Sequence, residues 1–283
     1  MTDRNMNDSI VLPSGASIPR FGLGTWGLGE GHASRKSEVA ALQAGLDQGV
    51  RLLDTAEMYG DGGSEEVVGA AIAGRRDGLY LVSKVLPSNA SASGTLRACE
   101  RSLKRMKTER IDLYLLHWRG SYPFEETLAA FERLQREGKI ADWGVSNLDL
   151  QDMEELMALP GAPCLATNQL LYNLSRRGIE FDLLPRLRQL DVPLMAYSPI
   201  EQGRILHHPA LQKLARQRNC TPAQIALAWV MRAPDVIAIP KSASLAHLQE
   251  NLAAREITLR PEELAELDRA FPPPSRPQAL EML

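Results

Sequence analysis

The feature that most limits what this chain can fold into is a repeat of short apolar runs, mostly about 26 to 32 residues apart, separated by stretches with helical spacing. With 21–24 as the first run, the others fall at 52–54, 79–84, 111–116, 140–145, 166–170, 192–197 and 236–240. Between them, 34–48 carries Val39, Leu42 and Leu46 on one helical face. Likewise 91–106 carries Leu96, Cys99, Leu103 and Met106 on a face that reads as packing. Further helices are expected at 64–73, 124–137, 148–157 and 179–190. The interval before the last run is longer and holds two, at 205–218 and 222–232. The second opens with Thr221, Pro222 and Gln224 at the N-cap, N1 and N3 positions of a capping box. Two more, 245–254 and 261–270, follow the last run.

Strands alternating with helices imply parallel pairing through right-handed crossovers, and eight repeats favour a closed barrel over an open sheet. The expected class is therefore α/β, a (β/α)8 TIM barrel with extra helices after strand 7 and at the C-terminus. A doubly wound sheet remains the alternative. Residues 9–18 read as two short strands around Pro13-Ser14-Gly15, a β-hairpin capping the closed end. All 283 residues are expected in one domain, because barrels of about 250 residues are single units.

Such barrels carry their active sites at the C-terminal ends of the strands. The second run ends in Asp54, with Tyr59 in the loop beyond it, the third in Lys84 and the fourth in His117. One polar strand end is an ordinary terminator. An acid, a phenol, an amine and an imidazole on successive units describe an active site. A nearby ammonium lowers a phenol's usual pKa of about 10. Asp54 would hold Lys84 in place and charged, and His117 would donate a hydrogen bond to a carbonyl oxygen. The set suits protonation of an oxygen that gains negative charge, as when hydride adds to an aldehyde or ketone.

The remaining features mostly exclude. A net charge of −3 and no long basic cluster argue against nucleic acid. No apolar run approaches the ~20 residues of a membrane helix, and Met1 to Ser9 lacks the apolar core of a signal peptide. Cys99, Cys164 and Cys220 form neither a disulfide framework nor a metal pattern, which points to a reducing cytoplasm. The histidines show no zinc spacing, so no metal is expected. Gly22-Leu23-Gly24-Thr25-Trp26-Gly27 matches a dinucleotide fingerprint literally. Gly29 and Gly31, however, delay any helix to about residue 34, and the fingerprint needs a strand turning directly into one.

Several ordered motifs remain: Gly24-Thr25-Trp26-Gly27, Asp54-Thr55-Ala56 with Tyr59, Ser83-Lys84 and Leu116-His117. Gly138-Lys139-Ile140, Gly144-Val145-Ser146-Asn147, Asn168-Gln169 and Ile239-Pro240-Lys241-Ser242 follow. Together they resemble the aldo-keto reductase family over nearly the whole chain. The stretches around Met58 and His117-Trp118 look most like the bacterial methylglyoxal reductases of that family. The resemblance implies an NADPH-dependent reductase with Asp54, Tyr59, Lys84 and His117 as catalytic tetrad and Tyr59 as general acid. It places Gly24, Thr25, Trp26, Asp54 and Ile239 at the cofactor. Ser146, Asn147 and Gln169 would hold the nicotinamide carboxamide, with Tyr197 stacked on its ring. Ser198, Pro199, Ile200, Gln202 and Gly203 would line the pyrophosphate, Lys241 and Ser242 would meet the 2′-phosphate, and Glu250 and Asn251 would face the adenine. His247 stands where the family commonly has an arginine, and a neutral imidazole gives less than a guanidinium fork. Seen alone, Ser146-Asn147 is a turn or N-cap, Lys241 a solvated lysine, and Tyr197 a strand-end aromatic.

Trp26, Met58, Tyr59, His117 and Trp118 are expected to edge the substrate mouth, although Trp26 and Trp118 read equally well as core. Only residues 272–283 follow the last helix, and Pro272-Pro273-Pro274 stiffens their start. A short tail predicts an open, shallow mouth suited to methylglyoxal and aromatic aldehydes, with steroids poor. Three alternatives stay open: 2,5-diketo-gluconate or sugar aldehydes as substrates, a Schiff-base aldolase working through Lys84, and a non-catalytic NADPH-sensing subunit. Asp54 beside Lys84 counts against the aldolase, since an ion pair keeps the amine protonated. The expected partner is a small carbonyl compound, with no nucleic acid or membrane, acting on a monomer, with an oligomer left as the alternative.

Overall fold

The computed structural model describes residues 9–242 and 244–283. The expectation for Met1 to Ser9 thus lies outside the described residues, apart from Ser9. Strands β1 (Ser9–Val11) and β2 (Ser17–Pro19) form the antiparallel hairpin. Eight parallel strands then pair in chain order. They are β3 (Gly22–Gly24), β4 (Leu52–Asp54), β5 (Tyr80–Val85), β6 (Ile111–Leu116), β7 (Ile140–Ser146), β8 (Asn168–Leu171), β9 (Leu194–Tyr197) and β10 (Val236–Ala238). Parallel bridges Phe21–Ala238 and Gly24–Lys241 join the first of these to the last and close the barrel. Glycine is required at that seam, because a Cβ on Gly24 would stand 2.9 Å from the Ile239 carbonyl oxygen.

The helices are α1 (Arg35–Asp47), α2 (Gly63–Ala71), α3 (Ala92–Met106), α4 (Phe124–Arg136), α5 (Leu150–Met157), α6 (Leu183–Gln189), α7 (Pro209–Arg218), α8 (Pro222–Val230), α9 (Leu245–Ala253) and α10 (Pro261–Ala270). Ser34, Ser91, Asp149 and Thr221 cap four of them, and the Thr221–Gln224 capping box is closed on both sides. Two expected helices are shorter than their apolar spacing suggested. The one at 205–218 starts only at Pro209, preceded by a 3-10 turn over Glu201–His207. The one at 179–190 splits into a single turn, Gly178–Glu180, and α6, capped by Asp182. The physical reason is the same in both cases. Proline has no N–H and clashes with the preceding turn, so Pro209 and Pro185 fit only near a helix start.

Strand alternation divides the core into two layers. Leu52, Val82, Leu113, Leu115, Met195 and Ile237 fill the barrel interior, and Leu12 and Ile18 of the hairpin pack beneath them. Leu23, Leu53, Tyr114 and Leu116 point outward to the helices. Ile18 is fully buried, a burial that contributes about 1.5–3 kcal/mol for a side chain of this size. The hairpin therefore plugs the end where the strands begin and leaves the other end to the loops. Among the described residues no helix is long and apolar enough to cross a membrane.

Candidate active site

The same alternation decides which strand ends face inward. Leu52, Val82 and Leu115 point into the barrel, so Asp54, Lys84 and His117, each two residues on, share that face at the C-terminal end. Lys84 is fully buried. Its Nζ donates to both carboxylate oxygens of Asp54 at 2.9 and 2.8 Å, to the Thr55 carbonyl at 2.9 Å, and to the Tyr59 hydroxyl at 3.3 Å. The Tyr59 ring stands edge-on to His117 with centroids 5.7 Å apart. Tyr59 opens a 3-10 turn whose Gly60 and Asp61 take left-handed backbone angles. Just before it, the buried Glu57 carboxylate accepts from Leu86 N, Asn89 Nδ2 and Arg101 Nη2. That pins the tyrosine loop to the loop after β5.

Electrostatics correct one expectation. Burial pushes the Tyr59 phenol above its usual value, and this outweighs the downward pull of Lys84. The ammonium is a weaker influence than the sequence suggests because desolvation penalises the phenolate directly. Burial would also lower Lys84, but Asp54 and Tyr59 together hold it above its ordinary value, so it stays charged. His117 is pushed down to about 2, by burial first and by the Lys84 charge second. It is a neutral imidazole, and its Nδ1 has no hydrogen-bond partner among the described residues.

A cavity of about 800 Å³ opens over this cluster. Trp26, Met58, Tyr59, His117 and Trp118 line its chemical end, with Asp54 at the floor. Gly24, Ser146, Asn147, Gln169 and Tyr197 come next, followed by Ser198, Pro199, Ile200, Gln202 and Gly203. Ile239, Lys241, His247, Glu250 and Asn251 line the far end. The middle residues are cross-linked. Gln169 Nε2 donates to Asp54 Oδ1 at 2.7 Å, Ser146 Oγ to the Gln169 carbonyl at 2.8 Å, and the Tyr197 hydroxyl to Asn147 Oδ1 at 3.0 Å. Asn147 caps no helix, since α5 is capped by Asp149, and it holds a left-handed φ of 55°.

Three expected residues do not line the cavity. Thr25 is buried with its hydroxyl on the Asp54 carbonyl, and Ser242 donates to the Ser244 carbonyl at the start of α9. Lys84 lies behind Asp54 and Tyr59. Conversely, Gly27, Glu30, His32, Leu206, Ala223, Met282 and Leu283 line the wall without having been expected. The glycines at 27, 29 and 31 signal the first of these loops, because all three adopt positive φ. Met282 and Leu283 correct the shallow-mouth expectation. The tail folds back over the barrel, with Leu280 against the core, and forms part of the wall.

The residues present fit a dinucleotide. The cavity runs from an imidazole whose Nδ1 has no partner among the described residues to an exposed lysine, so a carbonyl oxygen and an anionic phosphate could each meet a polar group at its two ends. The model of the Aldo/keto reductase family matches residues 20–271. The chain belongs to this family. Among individual relatives, it is 51% identical to the methylglyoxal reductase YeaE of Escherichia coli, covering 98% of this chain and 100% of that one. It is 32% identical to the glyoxal reductase of Bacillus subtilis over 93% of each chain. An aldo/keto reductase from Klebsiella pneumoniae, crystallised with NADP and acetate, superposes with a TM-score of 0.94 at 51% identity, covering 98% and 99% of the two chains.

Proposed function

We propose that the chain, working as one barrel, reduces small aldehydes and α-ketoaldehydes to alcohols with NADPH, Tyr59 delivering the proton. The observation that carries this reading is the Lys84 ammonium bonded at once to Asp54 and to the Tyr59 hydroxyl. When bound, NADPH supplies a hydride to the carbonyl carbon and leaves as NADP⁺. The neutral His117 donates a hydrogen bond to the carbonyl oxygen and orients it. The Tyr59 O–H bond breaks as its proton goes to that oxygen, and Lys84 stabilises the phenolate left behind until solvent returns a proton. A phenol held above its usual range is fully protonated at neutral pH, the form a donor needs.

Cofactor binding is assigned to the cross-linked Ser146, Asn147, Gln169 and Tyr197, the 198–203 segment, and Lys241, His247, Glu250 and Asn251. The exposed Trp26 and Met58, with Trp118, give the substrate end an apolar rim. The kinship to methylglyoxal and glyoxal reductases supports small reactive carbonyls as substrates, and NADP in a close structural relative supports the cofactor. A reducing cytoplasm, which supplies NADPH, is the proposed compartment. The aldolase reading fails on burial, because Lys84 Nζ has three oxygen partners besides Tyr59 and no open approach.

Steady-state oxidation of NADPH against methylglyoxal, a nitrobenzaldehyde and a ketosteroid tests the proposal. The first two are expected to show the higher kcat/KM. A higher value for the steroid overturns the substrate class, and no turnover of any carbonyl overturns the activity.

A further inference from the structure

One side chain outside the cavity holds two of its walls. Within 198–203, Ser198, Glu201 and Gln202 have φ of 47, 51 and 54°. L-residues disfavour this region, so such a segment persists only where its surroundings hold it. The holding group is the buried carboxylate of Glu201. It accepts from Asn173 Nδ2 at 2.8 Å, from Arg204 Nη2 at 2.8 Å, and from Arg176 through Nε at 3.1 Å and Nη2 at 2.9 Å. The remaining nitrogen of Arg176, Nη1, pairs with Glu281. Glu281 immediately precedes Met282 and Leu283, which also line the cavity. Arg176 is itself fixed, because its backbone N–H donates to Asn173 Oδ1 at 3.1 Å in the turn after β8.

We propose that Arg176 is a positioning residue that couples the cofactor segment to the tail wall. Its planar fork fixes the relative orientation of Glu201 and Glu281 as a flexible lysine does not. Seating the 198–203 segment on the dinucleotide orders the fork, and the fork sets Glu281 and with it the two apolar residues facing the substrate. Such coupling is reciprocal, so loosening the tail must weaken the cofactor. The inference rests on the proposed role of 198–203 in cofactor binding.

The test is Glu281→Gln, a change at a half-exposed side chain. It is read by NADPH fluorescence quenching without substrate and by KM and kcat for a nitrobenzaldehyde at saturating NADPH. Expected are increases of about two- to tenfold in both NADPH Kd and KM, with kcat unchanged. Arg176→Lys is expected to reproduce both shifts, and adding Glu281→Gln to it should change NADPH Kd no further. Met282→Ala should raise KM alone. If Glu281→Gln raises KM and leaves NADPH Kd at the wild-type value, the tail is a local wall and the coupling is overturned. If the wild type binds no NADPH, the cofactor assignment fails first, and this inference falls with it.

Discussion

The two halves of the barrel are built differently. In the first, β4 to β6 deliver Asp54, Lys84 and His117 directly from strand ends, and a buried ion pair locks the first two. In the second, β7 to β10 supply mostly loops, with left-handed residues at Asn147, Ser198, Glu201 and Gln202 and an exposed Lys241. The contrast teaches that three of the four proposed catalytic groups are placed by strand register, with Tyr59 added from the loop after β4, while the proposed binding bed is placed by loop geometry held through side chains. Damage to the first half should therefore abolish chemistry, and damage to the second should shift affinity.

The largest effect is expected from Lys84→Met. It strands the buried Asp54 carboxylate, and breaking a buried pair costs about 3–5 kcal/mol, so thermal melting should show a large loss beside near-absent turnover. Retained turnover would end the separation of roles between the halves. Next comes Tyr59→Phe, which keeps the ring and removes the proton. Turnover should fall by ~10²- to 10⁴-fold, with NADPH Kd unchanged by quenching. Lys241→Met probes the second half and should touch only affinity. One charged contact is worth about 1.5–3 kcal/mol, so the variant should lose roughly ten- to a hundredfold in its preference for NADPH over NADH. Dissociation constants for both cofactors check this, and His247 in place of a guanidinium sets the lower end.

The smallest effect concerns pH. The unfolded chain's imidazole takes up a proton below about 6.5, whereas folded His117 resists until about 2. The unfolded state then binds the extra proton, so this part of the stability is complete above 6.5 and falls as pH drops toward 2. His117→Gln should flatten the stability profile in that window by about 1.4 kcal/mol per pH unit at most. Identical slopes in wild type and variant, from urea unfolding at pH 4 to 6.5, would count against a neutral His117.

The same contrast explains what was legible in the chain. Asp54, Lys84 and His117 were readable because a strand has a period of two, so an apolar run announces which residue ends it facing inward. Tyr59 was placed correctly, but the direction of its shift was not. A sequence shows a neighbouring lysine and cannot show how much water the fold removes. Thr25 and Ser242 lie outside the cavity lining because their hydroxyls serve the Asp54 carbonyl and the start of α9, partners that appear only in three dimensions. The tail was read as short and therefore absent from the site. Its path over the barrel brings Glu281 onto Arg176, a pairing that no local pattern in the sequence connects.

The seam between β3 and β10 carries a consequence for how the molecule breathes. It rests on two bridges between residues from opposite ends of the chain, and contacts of such long separation form late in folding because loop closure must precede them. The Gly24 amide on Pro240 and the Ala238 amide on Arg20 mark this line in hydrogen exchange. Lys241 belongs to the seam and also faces the cavity. A dinucleotide held there staples the first turn of the barrel to the last, so occupancy should slow exchange at those two amides more than at the strands opposite.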